Sequence, residues 1–142
     1  MLVKPASDER TPDGMEVQVP AQEQLMTVRT EDRDDVLILT VEGDVDGLTA
    51  PRLTAAIADA FSALAGRPLV LDLTNVQFLG STGLRTLRDS AHEAVHHQGL
   101  QPLRVVVDQA RPVIRPIEIV GLDQILALYH TVKDAIAAGD LQ

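Results

Sequence analysis

The sequence LVLDLTNVQFLGSTGLRTL, from Leu69 to Leu87, contains a buried strand and the start of a helix in direct succession. Its first half is a continuous apolar run of strand length, which is typical of a central strand covered on both faces. Its second half changes to helical spacing, with Leu84 and Leu87 on one side. The two halves meet at GSTG, residues 80–83. Because sites gather beyond the carboxyl ends of strands in α/β sheets, this junction is the first candidate site.

The sequence before this junction predicts a hairpin and a helix. The β-rich runs LMTVRT and VLILTVEGDVD flank the charged turn EDRDD, which favours two antiparallel strands. LTAPRLTAAIADAFSALAG then has apolar residues at helical spacing, with Pro51 in the first turn and Gly66 as the stop. The junction helix itself is expected to run from about Ser81 to Gln98.

The sequence after the junction continues the alternation of helices and strands. LRVVV and ILALYH predict short strands, and ARPVIRPIEIVG predicts a helix that Pro116 bends or shortens. TVKDAIAAG predicts a final helix capped by Thr131. The expected fold is therefore α/β, a mixed and mostly parallel sheet of four to five strands, backed by about four helices on one side.

Chain length and composition predict one domain with a tail. Residues 1–24 are rich in Pro, Gln, Asp and Glu without periodicity, so they are expected to form a disordered acidic tail, and residues 25–142 the domain. The amino terminus lacks the pattern of a secretory signal, and no apolar run reaches the roughly 20 residues that span a bilayer. We therefore expect a cytoplasmic protein that does not bind membranes.

Charge and side-chain chemistry exclude several functions. A net charge of -9 argues against nucleic acid, and three aromatic residues are too few for base stacking. GSTG does not match the G-x-S-x-G nucleophile motif, and the chain has no glycine-rich phosphate loop with lysine. His92 and His96 stand one helical turn apart, but no third metal ligand accompanies them. We therefore predict a protein that is not an enzyme and has no catalytic residue, metal site or cofactor.

The hydroxyl pair at the junction has two interpretations. Ser81 or Thr82 at the N-cap would satisfy a free amide and contribute about 1 kcal/mol, and the residues alone favour this structural role. A regulatory serine is the alternative. Phosphate at a helix N-terminus is favoured by roughly 0.3–1 kcal/mol, whereas a partner covering it would bury a dianion at a cost of several kcal/mol.

From Leu25 to about Gly139 the chain resembles a STAS domain of the anti-sigma factor antagonist family. The resemblance rests on VEGDVD, on LVLDLTNVQFLGSTGLRTL, and on ARPVIRPIEIVGLDQIL followed by TVKDAIAAG. It implies partner switching, in which the antagonist binds an anti-sigma factor with a GHKL-type serine kinase fold and thereby frees a sigma factor. The kinase would inactivate the antagonist by phosphorylation, and a phosphatase would restore it.

The resemblance also implies site residues. Ser81 corresponds to the phosphoacceptor, with Thr82 as the alternative, and Asp46 corresponds to the acidic loop position beside it. The chain departs from the family at Gly80, where an aspartate is usual, and loses one anionic contact for a kinase. The predicted partner-binding residues are Asp46, Gly80, Ser81, Thr82, Gly83 and Arg85.

Two other functions stay open on the sequence. A STAS domain can act as a constitutive adaptor in a stress-signalling or lipid-transport complex, with Ser81 only a cap, and Gly80 favours this alternative. A small nucleotide-binding protein is the third hypothesis, because glycine amides at a helix N-terminus can hold phosphate. The lack of Lys or Arg in the junction before Arg85 argues against tight nucleotide binding.

Overall fold

Five strands and four α-helices follow one another in a computed structural model that describes residues 26–98, 102–108 and 114–140. The predicted tail, residues 1–24, lies outside the described residues. The elements in chain order are β1 (Met26–Asp32), β2 (Leu37–Val45), α1 (Ala50–Ser62), β3 (Leu69–Leu79), α2 (Ser81–Gln98), β4 (Leu103–Val106), α3 (Ile114–Ile119), β5 (Leu126–Tyr129) and α4 (Val132–Asp140), with a 3-10 turn at Leu122–Gln124.

The strands form one sheet in the order β1-β2-β3-β4-β5. β1 pairs with β2 antiparallel, and the three remaining pairs are parallel, so the predicted mixed and mostly parallel sheet is confirmed. In the β2–β3 pair the last residues, Val45 and Leu79, lie opposite each other. The loops that follow these two strands therefore start side by side. We call this end of the sheet the carboxyl edge.

The central strand β3 is buried on both faces, as its apolar run predicted. Leu69 and Leu71 pack into the main core together with residues of α1, α2 and α3. Val70 points to the opposite face, where it clusters with Val106 and with Ala135 of α4. The expectation that all helices cover one side of the sheet was wrong for α4, because the apolar residues on the second face need a cover of their own.

The helix ends agree in part with the sequence prediction. Thr131 caps α4 as expected, since its hydroxyl accepts a hydrogen bond from the Asp134 amide at 3.0 Å. α3 is described from Ile114 to Ile119 and contains Pro116. α1 ends at Ser62, before the predicted stop at Gly66, and the chain then turns through Gly66 with φ of 86°.

Candidate functional site

The junction between β3 and α2 consists of a single residue, Gly80. Its amide donates to the carbonyl oxygen of Val45 at 2.9 Å, and its own carbonyl oxygen accepts from the Leu84 amide at 2.9 Å. Gly80 therefore occupies the N-cap position of α2, and the prediction of Ser81 or Thr82 at the cap was wrong. The physical reason is that pairing with β2 extends β3 to Leu79, so the helix begins directly after Gly80.

The cap position of Gly80 leaves the two hydroxyls in the first turn of α2. Ser81 is exposed and Thr82 is half-buried. Within residues 26–98 and the other described ranges, no group hydrogen-bonds to either hydroxyl. The first-turn amides of α2 have no partner inside the helix, so the potential around Ser81 favours an anion. Ser81 thus presents a free hydroxyl at a position that tolerates negative charge.

Gly83 allows the first turn of α2 to lie close to the strand ends. It is buried, and a Cβ atom added to it would stand 2.6 Å from Leu79 Cδ1 and 2.8 Å from Val45 Cγ1. Both distances are too short for carbon atoms, so the close approach requires glycine. Gly83 therefore fixes where Ser81 stands rather than offering a side chain to a partner.

Phe78 covers the outer side of Gly80. A Cβ atom added to Gly80 would meet Cε2 of the Phe78 ring at 3.1 Å and Cζ at 3.4 Å. Gly80 is not one of the described glycines with positive φ, so its backbone is open to any residue. The ring is 52% exposed. An aromatic surface thus lies where a side chain at position 80 would begin.

Asp46 organises the loop between β2 and α1. Its Oδ1 atom accepts hydrogen bonds from the amides of Leu48 at 2.9 Å and Thr49 at 3.2 Å, and its own amide donates to the Thr49 hydroxyl at 2.9 Å. The Gly80 amide bond to Val45 holds this loop beside the start of α2. The Asp46 carboxylate therefore fixes the loop next to Ser81, and it makes no hydrogen bond to Ser81 among the described residues.

Ser81 also lines a groove between α2 and the segment after α3. The groove has a volume of about 260 Å³. Two arginines and an apolar wall line it together with Ser81; its residues are Ser81, Leu84, Arg85, Arg88, Val120 and Leu122. The structure thus places the predicted residue Arg85 in the same groove as Ser81, and it adds Arg88, which the sequence prediction did not include.

The STAS domain family matches residues 27–135, which is most of the chain. This chain belongs to the STAS domain family. The anti-sigma-F factor antagonist RsfB of Mycobacterium tuberculosis is 34% identical over 113 residues, covering 78% of this chain and 87% of the relative. The crystal structure of an anti-sigma factor antagonist from Mycobacterium paratuberculosis is 36% identical, with a TM-score of 0.68 over 80% of this chain and 92% of that one.

A more distant solved structure shares the fold alone. Phosphorylated SpoIIAA from Bacillus is 18% identical to this chain and gives a TM-score of 0.54, covering 80% of this chain and 99% of its own. The predicted STAS-like α/β fold is therefore confirmed, and the relatives are named as regulatory proteins rather than as enzymes.

The carboxyl edge of this STAS domain exposes apolar side chains that sequence reasoning missed. Leu48, in the loop after β2, is 61% exposed, and Phe78 is 52% exposed near the end of β3. Together with Ser81 they form what we call the carboxyl-edge surface. Phe78 follows the apolar run LVLDLTNV, and that run by itself gives no sign that the ring is exposed. Exposed apolar side chains at such a surface are typical of a protein interface.

The histidines that the sequence analysis considered as metal ligands are not part of a metal-binding cluster among the described residues of this STAS domain. His92 is exposed on α2, and the side chain of His96 lies outside the described residues. Within the described ranges, no three side chains of His, Cys, Asp or Glu come close enough together to hold a metal ion. In the same part of the chain, no helix has both the length and the apolar character needed to span a bilayer.

Proposed function

We propose that this STAS domain is an anti-sigma factor antagonist, and that phosphorylation of Ser81 by an anti-sigma factor with serine kinase activity ends the interaction. The observation that carries the proposal is the free and exposed Ser81 hydroxyl at the start of α2. It stands at the same edge of the sheet as the exposed side chains of Leu48 and Phe78. The names of the relatives support an anti-sigma factor as the partner.

The chemistry of the switch is a phosphoryl transfer from ATP bound to the kinase. The Ser81 Oγ–P bond forms as the bond between the γ-phosphorus and the ADP oxygen breaks, and the hydroxyl proton passes to a base of the kinase. The product dianion suits the free amides of α2, so the fold is retained. A partner that covers this edge must then bury a charge of about -2, which weakens binding. A phosphatase that hydrolyses the ester would restore the hydroxyl.

Ser81→Asp should stay folded and weaken binding to the anti-sigma factor at least tenfold, because it places a charge inside the interface. The measurement is the Kd of the purified pair by calorimetry. Gln124→Glu is the matched control. The substitution adds the same negative charge at an exposed residue in the turn before β5, away from the carboxyl edge. Mass spectrometry after incubation with the kinase and ATP should find phosphate on Ser81.

Two results would distinguish this proposal from its alternatives, a different phosphorylated residue and a constitutive adaptor. Phosphate that persists in Ser81→Ala would identify Thr82 as the acceptor. An unmodified wild-type chain, combined with Ser81→Asp that binds as tightly as wild type, would contradict the switch. That combination would favour the second candidate, a constitutive STAS adaptor, which Gly80 supports because it lacks the carboxylate that the family resemblance implies at this position.

Gly80→Asp should raise the rate at which the kinase phosphorylates Ser81. The backbone at Gly80 accepts any residue, and the exposed Phe78 ring can shift by the few tenths of an ångström that a Cβ atom requires. A carboxylate at the N-cap adds a few tenths of a kcal/mol to stability and supplies an anionic contact for the kinase. The initial rate of phosphate incorporation measures the effect, with Gly80→Asn as the uncharged control. Equal rates for wild type and Gly80→Asp would rule out a role for the missing carboxylate.

A further inference from the structure

We infer that Arg85 and Arg88 form an internal receptor for the phosphate of phosphorylated Ser81, in the groove between α2 and the segment after α3. The inference rests on the proposed modification of Ser81 and concerns what the phosphate contacts once it is attached. It assigns to the two arginines a role inside the chain, in addition to any contact with a partner.

The spacing of the three residues places them on one face of α2. Residues four and seven positions after Ser81 follow it along the helix, one and two turns further on. All three side chains line the same groove, and Val120 and Leu122 form part of its wall. Arg85 stands one turn after Ser81 and Arg88 one turn further along the same groove, and helical side chains lean toward the N-terminus, which brings a phosphate on Ser81 within reach of them. A phosphate on Ser81 and the two cations therefore share one concave surface.

The charges in the groove are available to an anion. Among the described residues, Arg85 makes no ion pair or side-chain hydrogen bond. Arg88 Nη2 lies 3.3 Å from Asp89 Oδ1, and both side chains are more than half exposed, so this pair is weak and easily exchanged. A phosphate dianion is a stronger acceptor than a carboxylate and can take bidentate hydrogen bonds from arginine. We therefore expect the Arg88 guanidinium to exchange its contact with Asp89 for a contact with the phosphate.

This arrangement adds a second effect to phosphorylation. In the unmodified chain, the Arg85 guanidinium can contact acidic groups of a partner, and Arg88 can do so by exchanging its weak pair with Asp89. In the phosphorylated chain, the phosphate occupies both guanidinium groups. The modification would then add negative charge and remove two positive contacts at the same time, in a chain whose net charge is already -9.

The test uses phosphoserine encoded directly at position 81, so it needs no kinase. The second pKa of phosphoserine is about 6, and an opposite charge within hydrogen-bonding reach lowers a pKa by about 1 or more. We expect a phosphorus NMR titration to give a value at least about one unit lower in the wild-type background than in the double variant Arg85→Gln/Arg88→Gln. Comparing the two backgrounds removes the contribution of the helix N-terminus, which they share.

Two further variants complete the test. Arg33→Gln is the matched control, because Arg33 lies in the β1–β2 turn at the other end of β2, roughly 25 Å from the carboxyl edge along the strand. Arg85→Lys/Arg88→Lys keeps the charge and should retain most of the shift. Equal pKa values in the wild type and the double Gln variant would overturn the inference. That result would leave the kinase and binding experiments on Ser81 unaffected, so failure of the receptor and failure of the switch are distinguishable.

Discussion

Gly83→Ala should lower the free energy of unfolding by about 2 kcal/mol, although alanine is the better helix former. The new methyl group would stand 2.6 Å from Leu79 Cδ1 and 2.8 Å from Val45 Cγ1. Both neighbours are buried, and Val45 is β-branched and stiff at χ1, so neither can move freely. Overpacking of this kind costs about 1–3 kcal/mol, which exceeds the gain of at most about 1 kcal/mol from helix propensity.

Thermal and urea unfolding measure this effect. For a domain of this size, a loss of 2 kcal/mol corresponds to a fall in Tm of roughly 8 °C. Gly47→Ala is the matched control, because nothing lies within 4 Å of a Cβ atom at Gly47 and its φ is not positive. That control should be neutral or stabilising by up to about 1 kcal/mol. If the two variants unfolded at the same temperature, the close approach of α2 to the strands would not constrain position 83.

The central layout of the fold was accessible from the sequence because it depends on periodicity. The apolar run beginning at Leu69 predicted a strand covered on both faces, and the helical spacing from Leu84 predicted the helix that follows it. The hairpin around EDRDD and the cap at Thr131 likewise follow from local rules. The resemblance to STAS domains then placed Ser81, and the structure brings it beside Arg85 as one groove.

The parts that sequence reasoning missed depend on contacts between distant segments. Gly80 is the cap because β3 continues up to Leu79, where it pairs with Val45 of β2. Val45 lies 35 positions before Gly80 in the sequence. α4 covers the second face because Val70 and Val106 need apolar contacts there, which no local pattern specifies. The exposure of Phe78 could not be predicted either, because it depends on which segments cover the end of β3. Each of these features required knowing which segments become neighbours.

The exposed ring of Phe78 should contribute strongly to binding. Truncation of a central aromatic residue in an interface typically costs 2 kcal/mol or more, so Phe78→Ala should weaken binding to the anti-sigma factor roughly thirtyfold. The reason is that the ring is 52% exposed in the free chain and sits against Gly80, next to Ser81. A partner that covers Ser81 must therefore cover Phe78 as well, and it would remove apolar surface from water. This effect does not require phosphorylation, so it holds for the unmodified chain.

A matched variant separates this effect from a general loss of apolar surface. Ile125 is 38% exposed and directly precedes β5, whose first residue pairs with the first residue of β4 at the edge opposite to Ser81. Ile125→Ala should leave the Kd unchanged within about twofold, since residues outside the contact region contribute little to binding. Calorimetry on both variants gives the comparison, and circular dichroism checks that each one is folded. If Phe78→Ala bound as tightly as Ile125→Ala, the partner would not use the carboxyl-edge surface, and the interface would have to be sought on another face of the sheet.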